Sequence, residues 1–133
     1  MEQLKTNTSS LDFAGATERL RSIVNKTPLQ LNINLSRRYQ CNVFLKREDL
    51  QVVRSYKLRG AYNMMSSLPA DQLAKGVVCS SAGNHAQGFA YSCKKLGVKG
   101  MVFMPIITPK QKVNQTKMFG ENNIEIRLVG DTY

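Results

Sequence analysis

The chain has 133 residues, the length of a single domain, and 42% of them are hydrophobic, as in globular proteins. Nineteen basic residues against nine acidic ones give a formal net charge of +10. These basic residues are spread along the chain without the aromatic run or Cys/His finger of nucleic-acid-binding modules, so we expect no nucleic-acid partner.

The first half of the chain has a mixed pattern of helices and short strands. In order, it predicts a helix over residues 11–24, strands over 29–33 and 41–46, a polar loop over 47–54 and a helix over about 57–68. Ser9 and Asp12, three residues apart at the first helix, resemble a capping box. The last of these helices is expected to bury one side, formed by Leu58, Ala61, Met64, Met65 and Leu68.

The second half alternates strands and helices. In order, it predicts a strand over 76–80, a helix over 84–96, a strand over 100–104, a helix over 109–119 and a strand over 124–129. Strand-helix-strand-helix-strand at this spacing predicts right-handed crossovers and an open parallel sheet with flanking helices. The predicted fold class is therefore α/β. Such sheets bind ligands at the carboxyl ends of their strands, where residues 80–84 lie.

The cysteines and the apolar runs bear on the location of the protein. The longest apolar run, residues 101–107, is too short to span a bilayer, so we expect no membrane association. Cys41, Cys79 and Cys93 are odd in number and form no Cys-x-x-Cys pair. This pattern favours reduced thiols in the cytoplasm over a disulfide framework or a zinc site.

Lys57 is the first candidate for chemistry. A lysine becomes a nucleophile only when it loses its proton, and a helix N-terminus and a neighbouring cation both disfavour the ammonium form. Lys57 lies in the first turn of a predicted helix, and Arg59 is two residues further on. The alternative is an ordinary surface lysine near a helix start.

The second candidate is the turn that follows the first strand of the second half. Gly83 lets the backbone approach a ligand closely, and free N–H groups at a helix start bind anions. Asn84 adds a side chain that both donates and accepts hydrogen bonds, although a plain helix cap is the alternative. Gly83 and Gly88 also have the spacing of a P-loop, but Phe89 stands where a P-loop needs lysine. Lys57 and this turn together would hold an aldehyde cofactor on one side and a carboxylate on the other.

Other polar groups have weaker claims. His85 is the only histidine, which excludes histidine-pair catalysis and most metal sites; it either shapes a carboxylate pocket or is structural. Glu48 and Asp49 are adjacent and therefore point apart, so they cannot straddle a substrate as paired catalytic carboxylates do. The methionines that fit a buried face better than a site are Met64, Met65, Met101 and Met104.

Four motifs in order resemble the threonine ammonia-lyases (threonine dehydratases), which are fold-type-II pyridoxal-phosphate enzymes related to the tryptophan synthase β chain. These motifs are KREDLQ at 46–51, SYKLRGA at 55–61, SSAGNHAQG at 80–88, and Met104-Pro105 with Thr108-Pro109 and Lys112-Val113. The resemblance runs from about residue 11 to the end of the chain. It implies an incomplete fold-type-II enzyme.

The resemblance implies roles for individual residues. Lys57 matches the lysine that binds the cofactor covalently, Tyr56 falls where an aromatic residue packs near the cofactor ring, and Asn84 matches the asparagine that hydrogen-bonds its 3′ oxygen. The residues expected to hold the substrate carboxylate are Ser81, Ala82, Gly83, Asn84 and His85. Ala82 stands where eukaryotic serine racemases carry an acid/base serine, which favours elimination over racemisation.

The implied reaction converts L-threonine to 2-oxobutanoate and ammonia, with pyridoxal 5′-phosphate as cofactor and the amine of Lys57 as the base at Cα. The residues at 47–49 and 108–109 resemble those of the biosynthetic, isoleucine-pathway branch of the family more than those of the catabolic branch. The alternatives are a catabolic serine/threonine dehydratase and a catalytically inactive fragment. Threonine is the expected substrate, with serine as the second choice, and the complete enzyme is expected to be a homo-oligomer.

The resemblance also divides the chain. Residues 1–54 are expected to belong to the large domain of the parent fold, and residues 55–133 to form most of the small domain, truncated at its C-terminal end. The glycine-rich phosphate loop of the family would lie beyond residue 133. We therefore expect the isolated chain to be inactive, and its positive charge to be balanced by acidic residues in a missing part.

Overall fold

The computed structural model describes residues 11–132. Its helices are α1 (Phe13–Leu20), α2 (Ile33–Tyr39), α3 (Lys57–Ser66), α4 (Ala70–Leu73), α5 (Asn84–Leu96) and α6 (Lys110–Gly120). Its strands are β1 (Leu29–Leu31), β2 (Phe44–Lys46), β3 (Val77–Ser80), β4 (Gly100–Met104) and β5 (Ile124–Leu128). Short 3-10 turns cover Glu48–Leu50 and Glu121–Asn123.

Helix α1 is shorter than the pattern predicted. Asp12 is its N-cap, because its side chain accepts a hydrogen bond from the N–H of Gly15 over 2.7 Å. The prediction of a capping box is therefore wrong for Asp12, which is the N-cap itself and not the partner of an N-cap at Ser9. Ser9 lies outside the described residues. The N–H of Ile23 bonds to the carbonyl of Leu20, only three residues back, so the chain leaves the α-helical pattern there.

Strands β1 and β2 form a separate antiparallel pair, with Leu29 opposite Lys46. Both are shorter than predicted. Helix α2 between them was not predicted, because its apolar residues follow β1 directly and extend the strand pattern. The signal that marks it is Asn32, whose side chain accepts a hydrogen bond from the N–H of Leu35 over 2.9 Å and so caps the helix.

The second half forms the predicted α/β unit. Strands β3, β4 and β5 lie in that order in one parallel sheet, with Val77 opposite Gly100 and Gly100 opposite Ile124. Helix α5 packs against both α3 and α6. Helix α5 and strand β4 have the predicted bounds, and Gly97 ends α5 in the left-handed region at φ 67°, as expected for a glycine after a helix. The α/β fold class is confirmed.

The main core lies where α5 packs on the parallel sheet. Phe89 and Cys93 from α5, Val102 and Met104 from β4, and Met65 from α3 belong to one cluster. The predicted buried face of α5 is confirmed, since each of its residues is at most 4% exposed: Ala86, Phe89, Ala90 and Cys93. This packing fixes the start of α5 relative to the end of β3.

One predicted burial pattern is partly wrong. Leu58, Ala61 and Met65 are buried on α3 as expected, but Met64 is 59% exposed. Successive helix residues point about 100° apart, so when Met65 faces the core Met64 is turned away from it. Met64 instead borders a cleft described below.

The proposed domain boundary between residues 54 and 55 is crossed by contacts. Helix α1 packs against α3, and the Nε of Arg19 donates to the Oδ1 of Asn63 over 2.8 Å. The division into 1–54 and 55–133 stays a prediction. Among the helices described, none combines the length and apolar character needed to cross a bilayer.

Candidate active site

The lysine singled out by the sequence begins α3. Lys57 is the first residue of that helix, and its Nζ lies 5.3 Å from the centre of the Tyr56 ring, a cation–π geometry. The preceding residue, Ser55, is 6% exposed. Its Oγ is the one buried side-chain polar atom without a hydrogen-bond partner in the described part of the chain. An unpartnered buried hydroxyl, an aromatic ring and an amine thus belong to three consecutive residues at the start of α3.

Lys57 lines an apolar cleft of about 520 Å³ between α3, the edge strand β3 and the start of α5. Most of its wall is aliphatic, with Met64 from α3 and Val78 from β3 both more than half exposed. Its polar groups include Lys57, His85 and Tyr56. A wide apolar wall with a few polar groups at one side is the usual character of a cofactor or ligand site.

The turn between β3 and α5 uses two of its own N–H groups within the protein. The N–H of Ser81 bonds to the carbonyl of Phe103 over 3.1 Å, which continues the sheet, and the N–H of Gly83 bonds to the Oγ of Ser81 over 3.3 Å. Helix α5 then begins without a side-chain cap, and Asn84 and His85 are exposed. Uncapped N–H groups at a helix start are suited to an anion such as a carboxylate.

The structure brings some of the predicted residues together and not others. Lys57, Tyr56 and His85 share the cleft. Ala82 instead packs against the hydrophobic core, and none of Ser81, Gly83 and Asn84 is among the residues that line the cleft. The assignment of residues 81–85 to a substrate carboxylate stays a prediction, as do the cofactor contacts of Tyr56 and Asn84.

Arg59 was expected to act as a neighbouring positive charge that disfavours the ammonium form of Lys57, but the structure shows it in an ion pair. Its guanidinium is bound by Glu48, with Nε to Oε2 at 2.7 Å and Nη2 to Oε1 at 2.9 Å. This ion pair compensates the charge of Arg59 and raises the pKa of its guanidinium. Arg59 is thus not a free cation beside Lys57, and the sequence argument for activation rests on the helix start alone.

The adjacent carboxylates Glu48 and Asp49 have separate partners. Glu48 binds Arg59, whereas Asp49 pairs with Arg47 through two hydrogen bonds of 2.7 and 2.8 Å. The bridge to Arg59 is the largest of the effects that lower the pKa of Glu48 to about 2. Both carboxylates have the structural surroundings expected from their adjacency. The described residues hold no cluster of three or more metal-binding side chains.

Cys93 is buried and Cys79 is half-buried. Burial raises the pKa of Cys79 and of Cys93 to about 12. Cys79 lines the cleft, yet its thiol stays protonated at neutral pH. It therefore offers an apolar surface to the cleft rather than a nucleophile.

Two residues near the site were not singled out for their role by the sequence. Ser55 carries the unpartnered hydroxyl, and Gly88 lies in close contact with the backbone of Lys57 and Leu58. The available signal for Gly88 was its place in the middle of a helix, where glycine costs about 1 kcal/mol relative to alanine.

The sequence matches the family of pyridoxal-phosphate dependent enzymes over residues 20–133, and the chain belongs to this family. It is 56% identical over 130 residues to L-threonine dehydratase biosynthetic IlvA of Staphylococcus epidermidis, a match that covers 98% of this chain and 31% of that protein. The resemblance read from the four motifs is thereby confirmed.

Solved structures agree with this placement. The processed form of threonine deaminase isoform 2 from Solanum lycopersicum superimposes with a TM-score of 0.80 at 40% identity, over 90% of this chain and 32% of that one. Maize serine racemase gives a TM-score of 0.79 at 30% identity, over 88% and 35%. The chain thus spans about a third of the length of the proteins it matches.

The residues present suit pyridoxal phosphate. A primary amine stands at the wall of an apolar cleft that can accept an aromatic ring, and an uncapped helix start lies beside it. The buried Oγ of Ser55, two residues before Lys57, has a hydrogen bond still to make. Lys57 would hold the aldehyde carbon of the cofactor.

Proposed function

We propose that these residues belong to a pyridoxal-phosphate-dependent threonine ammonia-lyase that converts L-threonine to 2-oxobutanoate and ammonia in isoleucine biosynthesis. The observation that carries the proposal is the cleft shared by Lys57 and His85 at the start of α5, in a chain that is 56% identical over nearly its whole length to a biosynthetic threonine dehydratase. A homo-oligomer in the cytoplasm is the expected form.

Lys57 and the start of α5 have different roles in the proposed reaction. When bound, pyridoxal phosphate supplies an electron sink for the charge that develops at Cα. The Nζ of Lys57 holds the cofactor and, once free, takes the proton from Cα of threonine. The N–H groups at the start of α5 bind the substrate carboxylate and orient Cα toward Lys57.

Ala82 favours elimination over racemisation. Racemisation requires a second group that delivers a proton to Cα from the face opposite Lys57. An alanine methyl group has no exchangeable proton, so Ala82 cannot be that second group. This distinguishes the proposed activity from that of a serine racemase, even though maize serine racemase shares the fold.

The proposal is tested by replacing Lys57 in the full-length protein that contains these residues. Lys57→Ala should lower 2-oxobutanoate formation from threonine by at least about a thousandfold, because both the covalent anchor and the base are lost. Lys110→Ala is the matched control, since Lys110 is the first residue of α6 as Lys57 is of α3. Equal activity of the Lys57→Ala variant and the wild type would disprove the mechanism.

A further inference from the structure

The first turn of α3 is attached to the N-terminal part of the chain through a half-buried ion pair. Arg59 binds Glu48 through two parallel hydrogen bonds, and the side chains are 34% and 15% exposed. Bidentate arginine–carboxylate pairs fix orientation as well as distance. The direction of α3 is thus tied to the 3-10 turn over Glu48–Leu50.

The Glu48 carboxylate is held in turn by a polar network. Its Oε1 accepts a hydrogen bond from the Oγ1 of Thr27 over 2.6 Å, and its Oε2 one from the Nε2 of Gln51 over 3.3 Å. Thr27 is 5% exposed and Gln51 is 2% exposed. Gln51 also bonds to the backbone N–H and C=O of Asn25, at 2.9 Å each. Glu48 therefore has little freedom to move without breaking buried hydrogen bonds.

Arg59 and Lys57 lie on opposite sides of the same helix turn. Two residues of α-helix correspond to a rotation of roughly 200°, so the two side chains point in nearly opposite directions. Arg59 reaches Glu48 in the 3-10 turn, while Lys57 lines the cleft. A rotation of α3 about its axis would move both side chains at once.

From this arrangement we infer that Glu48 is a positioning residue, which fixes the rotation of α3 through Arg59 and so holds Lys57 toward the cleft. The inference rests on the proposed function, because it assumes that Lys57 must face the cleft in order to bind pyridoxal phosphate. The exposed pair of Lys94 and Glu121, at 2.6 Å, joins α5 to the turn after α6 and has no such link to the cleft.

The test uses cofactor attachment in the full-length protein. Pyridoxal phosphate is added, trapped on lysine with borohydride, and the labelled peptides are quantified by mass spectrometry. The variants are Glu48→Gln, which keeps the shape but removes the charge, and Arg59→Lys, which keeps the charge but removes the paired donors. Glu121→Gln is the matched control, because it removes the charge of another ion-paired glutamate.

We expect Glu48→Gln to weaken pyridoxal-phosphate binding about tenfold, and to lower the share of label on Lys57 relative to Lys110, because one charge-assisted bridge to Arg59 is lost. Arg59→Lys should have a similar effect. A double variant, Glu48→Gln with Arg59→Lys, should lose no more label at Lys57 than either single variant, because both act through one bridge. Glu121→Gln should behave as the wild type.

Other results would overturn the inference. If Glu48→Gln lowers the melting temperature but labels Lys57 as the wild type does, the bridge is structural only. If Glu121→Gln loses label to the same degree, the effect is not specific to α3. If losses in the double variant simply add, Glu48 does not act through Arg59.

A separate readout distinguishes this inference from the proposed function. If the wild type itself shows no preference for Lys57 over Lys110, the proposed cofactor chemistry fails. Hydrogen exchange then decides whether Glu48 holds α3. Faster exchange at Ala61 and Tyr62, the first amides of α3 with a partner four residues back, in Glu48→Gln but not in Glu121→Gln would support the anchoring. Unchanged exchange would overturn it.

Discussion

The backbone of Gly88 on α5 lies directly against the backbone of Leu58 on α3. A Cβ at position 88 would stand 3.0 Å from the Leu58 nitrogen and 3.1 Å from the carbonyl carbon of Lys57, closer than ordinary van der Waals contact. Gly88 is one helical turn after Asn84, on the same side of α5. The absence of a side chain at Gly88 therefore sets how closely the start of α3 approaches α5.

We expect Gly88→Ala to push the start of α3 away from α5. The atoms it would meet belong to the backbone and cannot swing aside, so the cost of overpacking, about 1–3 kcal/mol, should exceed the gain in helix propensity. The free energy of unfolding from urea denaturation should fall, and borohydride labelling of Lys57 by pyridoxal phosphate should slow.

Gly120→Ala is the control for this prediction. A Cβ there would stand 2.5 Å from a side-chain atom of Ile124, so this substitution also crowds a buried helical glycine. It lies at the end of α6 and should lower stability without slowing the labelling of Lys57. Labelling that is unchanged in Gly88→Ala would show that the contact has no bearing on the site.

The thiols should react in an order set by their burial. With the pKa of Cys79 and Cys93 raised to about 12 by burial, almost none of either is thiolate at pH 8, whereas Cys41 is exposed. Iodoacetamide should therefore modify Cys41 first, and the other two only after unfolding, as followed by peptide mass spectrometry. Rapid modification of Cys79 in the folded protein would mean that the cleft is more open to solvent than described.

Much of the second half could be predicted from local pattern. The bounds of α5 and its buried face follow from apolar residues at helical spacing between Gly83 and Gly97, and the structure confirms them. Strand β4 is likewise an apolar run with clear ends. These elements are predictable because each is specified by residues close together in sequence.

The network around Glu48 could not be predicted in the same way. Its partners Thr27 and Arg59 lie 21 and 11 residues away, and no periodic pattern connects them. Helix α2 was not predicted for a related reason, since only one residue, the N-cap Asn32, separates it from strand β1. Long-range polar contacts depend on tertiary packing, which spacing along one sequence does not record.

Asn84 is expected to contribute to cofactor affinity. It is exposed at the first position of α5 and has no capping role there, so its replacement should leave the helix intact. Loss of a hydrogen bond to a charged ring oxygen should weaken pyridoxal-phosphate binding by about tenfold or more in Asn84→Ala. A spectral titration measures this, with Asn114→Ala on the exposed side of α6 as control; equal affinities would remove Asn84 from the site.

The contribution of Glu48 to the free energy of unfolding should depend on pH. Its pKa of about 2 in the folded protein lies below its ordinary value of 4.5, so its stabilising effect is complete above about pH 4.5 and is lost as the pH falls toward 2. The difference in unfolding free energy between wild type and Glu48→Gln should be constant from about pH 5 to 7 and narrow below that range.

Urea denaturation at a series of pH values gives this difference. Its expected size near neutral pH is about 1–3 kcal/mol, the range for hydrogen bonds to charged groups. Glu121→Gln should show a much smaller difference at every pH, because Glu121 is exposed. A difference for Glu48→Gln that persists undiminished at pH 3 would mean that the ion pair is not its source.

Ala82→Ser tests what separates elimination from racemisation in this family. A hydroxyl at this position would place an exchangeable proton in the turn between β3 and α5, beside the N–H groups expected to hold the substrate carboxylate. We expect the variant to form D-allo-threonine from L-threonine, or D-serine from L-serine, at a rate detectable by chiral chromatography, while 2-oxobutanoate formation stays within about tenfold of the wild type. The substitution adds one polar atom to a half-buried site, so only a modest loss of stability should accompany it.

The control is Ala74→Ser, an exposed position that follows α4 and lies outside the cleft lining. It should release no D-amino acid. If Ala82→Ser also releases none while its elimination rate is retained, the residue at position 82 does not face Cα. In that case the preference for elimination must come from how the substrate is oriented between Lys57 and the start of α5, and not from the lack of a second acid.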